Sequence, residues 1–206
     1  MRKRARQESA FLNIPYDRQY ESLYLAFIAG LCAFGLRPRA TIEIPSTKRR
    51  LERIVVLIRG CRYSFHDLSR VLLDRHSPVT PRFNMPFELG LAVGWSLGAN
   101  PQHEWFVFES KHHRLEKSLS DLNGTDPHVH DGTAHGVLRG LTNALTRKIH
   151  DPNLVELDAI YRDLNKAARE VRLEMKGGSL FEARPFKQLV FIARRLAQGR
   201  ISSLRS

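Results

Sequence analysis

The stretch richest in residues able to do chemistry is Arg82-Phe83-Asn84-Met85-Pro86-Phe87-Glu88-Leu89-Gly90-Leu91-Ala92-Val93-Gly94-Trp95. Proline is favoured in a first helical turn, so the spacing predicts a helix over 86–97 with Glu88 in its first turn. There the helix dipole favours an ionised carboxylate. A capping box would need Ser or Thr three residues before Glu88, and Met85 stands there. Glu88 instead shares a face with Leu91, Ala92 and Trp95, which turns its carboxylate toward the body of the protein. A charged group in that position needs either a partner, such as one of the many arginines, or a task. Gly90 and Gly94 clear a neighbouring face for close approach by a strand or a ligand.

Two further constellations follow short apolar runs. His66-Asp67-Leu68-Ser69-Arg70 closes a strand-like segment, and nearly all of it is polar or ionisable. Asp67 has the chemistry to hold sugar hydroxyls, and Arg70 to meet a phosphate with two parallel hydrogen bonds. His66 and Ser69 flank them. Asn13-Ile14-Pro15-Tyr16-Asp17 ends the first apolar run, with Asn13 and Asp17 as hydrogen-bonding groups and Tyr16 as a stacking surface. The same residues also suit an ordinary turn. Asn84, just ahead of the Glu88 helix, completes the candidate binding set. The polar segment 120–133 carries His128, His130, Asp126 and Asp131, but its spacing matches neither an EF-hand nor a standard zinc site, so no metal is assigned.

Periodicity supplies the elements that must hold these residues. Apolar runs at 9–14, 37–44, 63–67 and 103–109 read as strands. Helical spacing covers 20–34, 46–59 and 86–97, with Gly35 as a C-cap and Ser46 as an N-cap. Strands alternating with helices imply parallel crossovers in an open α/β sheet, whose ligands sit outside the carboxyl ends of the strands. All three constellations fall at such ends. Segment 110–132 is polar and aperiodic and reads as a loop that is functional or disordered, its 120–133 part either edging a pocket or simply lying on the surface. Beyond it, helices are predicted over 135–149, 152–175 and 185–198, broken at Gly177-Gly178. The expected layout is a basic tail at 1–8, an α/β domain at 9–150 and a helical C-terminal extension at 151–206.

The chain has 206 residues, 42% hydrophobic and 26% charged, with a net charge of +12. That composition is ordinary for a globular domain and excludes global disorder and a disulfide scaffold. No stretch approaches the roughly 18–20 apolar residues of a spanning helix. Cys32 and Cys61 read as two reduced thiols, which points to the cytoplasm. The positive charge is dense only in residues 1–6; it concentrates anions without choosing among them. Nonspecific nucleic-acid binding through that tail is one partner class it admits, and self-association through the C-terminal helices is another. The sequence lacks the phosphate loop of P-loop enzymes, the dinucleotide fingerprint, the serine-hydrolase elbow and the zincin motif.

The order of Asp67 and then Glu88-Leu89-Gly90-Leu91-Ala92 resembles nucleoside 2-deoxyribosyltransferases, in which an Asp follows the third strand and Glu-Leu-Gly-x-Ala opens the next helix. Phe11-Leu12-Asn13-Ile14-Pro15-Tyr16-Asp17 is similar to the opening strand of the related TIR domains that cleave NAD. The resemblance covers about residues 9–110. It implies a flavodoxin-like sheet and cleavage or transfer of an N-glycosidic bond in a nucleotide or nucleoside. Glu88 would act as nucleophile or as stabiliser of an oxocarbenium-like transition state, and Asp67 would hold sugar hydroxyls or assist the leaving base. NAD enters as a substrate, and no cofactor is called for. The alternative is a non-catalytic nucleotide-sensing or protein-interaction module using the same pocket; a basic side chain paired with Glu88 would favour it.

Overall fold

The computed structural model describes residues 8–44, 49–71, 73–74, 77–146 and 152–203. Residues 1–7 of the expected basic tail at 1–8 and the predicted cap Ser46 lie outside the described residues. The chain enters through β1 (Ser9–Asn13), every residue of which after Ser9 is buried. A short 3-10 turn, Arg18–Tyr20, is capped by the Asp17 side chain and leads into α1 (Glu21–Ala33). This helix is buried on every side, and a helix apolar all round belongs in an interior. It ends where the periodicity puts it. Gly35 takes φ +76°, its N–H bonds Cys32 O at 3.0 Å and the Leu36 N–H bonds Leu31 O at 2.9 Å, the paired closure of a Schellman cap.

The chain continues through β2 (Arg37–Arg39), α2 (Arg50–Gly60) and β3 (Tyr63–Asp67). A two-stranded antiparallel hairpin follows, β4 (Leu73–Asp74) with β5 (Thr80–Pro81). Next come α3 (Asn84–Gly98), β6 (Glu104–Glu109), the short α4 (Arg114–Ser118) and β7 (His128–Val129). The main sheet is entirely parallel in the order β2-β1-β3-β6-β7. Counting its own strands in chain order gives 2-1-3-4-5, the flavodoxin-like doubly wound arrangement. The fold is therefore α/β with an open parallel sheet flanked by helices, as periodicity and resemblance implied.

Four expectations are corrected. The second strand covers only 37–39 of the expected 37–44, because the chain turns into a 3-10 segment at Thr41–Glu43. The loop after β3 contains the β4–β5 hairpin. Segment 110–132 supplies α4 and a fifth strand, too short and polar to register as a periodic run. Most consequentially, α3 begins at Asn84, two residues ahead of the expected start. Glu88 consequently lies beyond the first turn, where the dipole term fades.

Helices α2 and α3 cover one face of the sheet, packing Ile54, Leu57, Ile58 and Ala92 against Phe11. On the other face α1 packs with α5 (Ala134–Ala144), α6 (Leu154–Glu174) and α7 (Ala183–Ser203). Leu157, Ile160, Leu164, Phe186, Leu189 and Ala193 share one continuous core with Phe27, Phe65 and Phe108. The C-terminal helices thus cover the side of α1 that the sheet leaves open. Asn153 and Glu156 form a reciprocal capping box at the start of α6. Both thiols are buried, and desolvation pushes each up to about 12, so neither is reactive near neutral pH. None of the described helices is long and apolar enough to cross a membrane.

Helix α5 approaches the turn after β7 so closely that a Cβ on Gly136 would lie 2.1 Å from the His130 carbonyl oxygen. Gly136→Ala should therefore destabilise the protein by at least ~1–3 kcal/mol, seen as a lower thermal midpoint. Gly199→Ala in α7, where nothing lies within 4 Å, should leave the midpoint unchanged or raise it.

Candidate functional site

The strand order reverses between β1 and β3, which makes their carboxyl ends the switch-point crevice of the fold. Asn13 and His66 are register partners at that point. Pleating divides the two strands' side chains between the sheet's faces. Phe11 and Asn13 on β1, with Ser64 and His66 on β3, face α2 and α3; the Phe11 and His66 rings meet edge to face at 6.1 Å.

Asn13 is 2% exposed and its Nδ2 serves two acceptors, the Met85 carbonyl and His66 Nδ1, both at 3.0 Å. The first bond ties the opening of α3 to the end of β1; the second settles the tautomer of His66. Because Nδ1 accepts, the proton sits on Nε2, which finds no partner among the described residues. Burial drives the His66 pKa down to about 3, so the ring is neutral at any working pH. A buried donor left unsatisfied costs ~1–3 kcal/mol, which makes this one a mark of the site.

Glu88 lies three residues beyond Met85 on the same side of α3 and is 3% exposed. Its Oε1 is 3.4 Å from Nη2 of Arg50, the first residue of α2, whose side chain is largely exposed. Burial raises the Glu88 pKa above the ordinary carboxylate value, and the Arg50 cation offsets only part of that rise. Tyr16 stands at the edge between the two sides: its ring packs against the α1-side core, and its hydroxyl feels the Glu88 charge. Its hydroxyl donates to Leu12 O at 3.3 Å, burial raises its pKa, a bond with Thr41 opposes the rise, and the Glu88 charge adds to it.

Asp67 belongs to the opposite face. Phe65 and Asp67 alternate away from His66 toward α1, where Asp67 has no solvent exposure. The Tyr20 hydroxyl and the Ser69 N–H (2.7 Å) donate to its carboxylate. His130 Nε2 lies 3.1 Å from Oδ2 without the alignment of a hydrogen bond, while His130 Nδ1 accepts from the Gly132 N–H at 3.0 Å. The roles that the resemblance implies would set Asp67 and Glu88 around one substrate, and the structure does not bring the two side chains together. The pleat sends the two carboxylates to opposite sides of the sheet, and protein donors already hold Asp67.

The remaining sequence candidates form a rim. Asp17 accepts from the Tyr20 N–H at 3.0 Å and pairs with Arg70 at 3.1 Å, and Arg70 also reaches Gln19 at 2.9 Å. Ser69 is nearly buried beside Asp67, and Asn84 is exposed at the first position of α3. The structure adds Arg50, Tyr20 and Arg114, none singled out in the sequence, and His130, which the sequence raised only as a metal ligand. Arg114 grips the buried Glu109 at 2.7 Å and the Leu68 carbonyl at 2.5 Å, joining the ends of β3 and β6. Tyr20, which closes the 3-10 turn ahead of α1 and opens the apolar helical pattern at 20–34, carried the one available signal. Arg50 was lost in a basic run, and the approach of His130 to Asp67 had no signal in an aperiodic segment.

Among the described residues no group of three or more His, Cys, Asp or Glu side chains is arranged to hold a metal ion. Comparison with protein-family models, with curated proteins and with solved structures found no match.

Removing the Tyr20 hydroxyl deprives a fully buried carboxylate of one donor. Tyr20→Phe should cost ~1–3 kcal/mol of stability, measured by denaturant unfolding, with little change in the folded circular dichroism spectrum.

Proposed function

We propose that this chain acts on a nucleotide or nucleoside-type substrate, NAD or a nucleoside phosphate, by cleaving or transferring its N-glycosidic bond, in the manner of nucleoside 2-deoxyribosyltransferases and TIR domains. Glu88 is the acting carboxylate. The observation that carries this reading is the environment of Glu88: it is buried beside the switch-point crevice, and desolvation outweighs the counter-charge of Arg50. A carboxylate stripped of water interacts strongly with positive charge developing at an anomeric carbon, as attacking group or as stabiliser. Neutral His66, with its Nε2 proton, and the Asn13 amide lend polarity without adding charge. Asp67 does not touch substrate in this scheme. It positions the β1–α1 connection through Tyr20.

The ion pair with Arg50 supports a second reading, in which the same crevice binds a nucleotide without turning it over and the chain is a sensing or interaction module. Incubation with NAD, nucleosides and nucleoside monophosphates, followed by mass spectrometry, separates the two. A free base released by the wild type and not by folded Glu88→Gln supports the enzyme. Saturable binding without product supports the sensor.

The enzyme reading also fixes a pH profile. Its active Glu88 is ionised, so kcat/KM should fall on the acid side at a pH above the ordinary glutamate value. Arg50 lowers the Glu88 pKa, and its removal lets that pKa rise further. Arg50→Ala should therefore shift the acid limb to higher pH, by roughly one unit or less for so exposed a cation.

A further inference from the structure

On the α1 side of the same edge, a cavity of about 470 Å³ opens between the β1–α1 connection and the turn joining α6 to α7. Tyr16 and Phe181 supply its aromatic wall. Their rings lie 6.1 Å apart, and Phe181 is held from behind by Tyr24 at 5.0 Å. Four charged side chains line it, and three of them are neutralised. Asp17 is paired with Arg70, and Glu21 with Arg172. Arg18 is exposed, lines the cavity and has no ion pair among the described residues. One uncompensated guanidinium thus faces a concave, partly aromatic space of ligand size, with Arg172 available if it exchanges Glu21 for another anion.

We infer that this cavity binds a small phosphate monoester carrying a planar ring. The ring lies against Tyr16 and Phe181, and the phosphate meets Arg18 and Arg172. The site requires the α6–α7 turn, so it assigns the C-terminal helices a part in ligand binding as well as in the core. Glu88 is not among the residues that line it and reaches it only through its charge on the Tyr16 hydroxyl.

Isothermal titration of the full chain with adenosine 5′-monophosphate, adenosine and inorganic phosphate tests this. The monophosphate should bind saturably, at least tenfold more tightly than either fragment, and more weakly as salt rises. Arg18→Ala should weaken the monophosphate roughly tenfold and leave adenosine unchanged. Phe181→Leu, which keeps apolar volume behind Tyr16, should weaken the monophosphate and adenosine but spare phosphate. Glu88→Gln should alter none of these affinities, whether or not it abolishes turnover. Absence of saturable monophosphate binding, or binding undiminished in both folded Arg18→Ala and Arg18→Glu, would overturn the assignment. So would binding lost in Glu88→Gln but kept in the Arg18 variants, since the ligand would then occupy the opposite crevice.

Discussion

A carboxylate with no access to solvent must find its donors inside the protein, and Asp67 draws on separate segments to do so. The Tyr20 hydroxyl comes from the β1–α1 connection, the Ser69 N–H from the chain just after β3, and His130 approaches from the turn after β7. Each segment leaves the sheet at its carboxyl edge and would be free to wander if the carboxylate did not gather them. The cost of leaving such a group unpaired exceeds that of most single contacts, so the arrangement around Asp67 constrains its neighbours. Arg114 repeats the device one strand over, joining Glu109 to the Leu68 carbonyl. The carboxyl edge of the sheet is thus built from charge held at fixed points.

The segregation of the two carboxylates follows from the pleat alone. Successive side chains of β3 alternate, so His66 and Asp67 cannot serve the same side of the sheet. That period-two rule was available in Tyr63-Ser64-Phe65-His66-Asp67, where Phe65 marks the core side and Asp67 shares it. The parallel α/β class, β3, the end of α1 and the breaks around Gly177-Gly178 were legible because each has a local cause: an apolar period, a left-handed glycine, a change of spacing. The fifth strand was not, since two residues carry no period and His128-Val129 pairs only because β6 offers its ladder. The Arg50–Glu88 contact was equally hidden, because it joins residues 38 apart on two helices whose relative placement only the tertiary fold sets.

The C-terminal helices change what the rest of the chain can be. Helix α1 is buried on all sides, a composition the sheet by itself could not satisfy, and Leu157, Leu164, Leu189 and Ala193 occupy the surface it would otherwise show to water. The Tyr24 hydroxyl reaches across to the Leu180 carbonyl at 3.2 Å, fastening the α6–α7 turn to the helix that begins beside the switch point. Residues more than 150 positions apart are therefore tied together beside the carboxyl edge of the sheet.

The two outer strands have a consequence for how the chain behaves in a crowd. The interior of the sheet carries Trp105-Phe106-Val107-Phe108, a run that would readily recruit strands from other molecules wherever its ladder stood open. β3 pairs along its whole length on one side, and the outer strands of the sheet are short. β2 is Arg37-Pro38-Arg39, two like charges around a residue with no N–H to donate, and β7 offers only two residues of ladder. β7 pairs only with Phe108 and Glu109, so the half-buried Trp105 and Phe106 keep one ladder side without a strand, and the short, charged β2 is the better protected of the two borders.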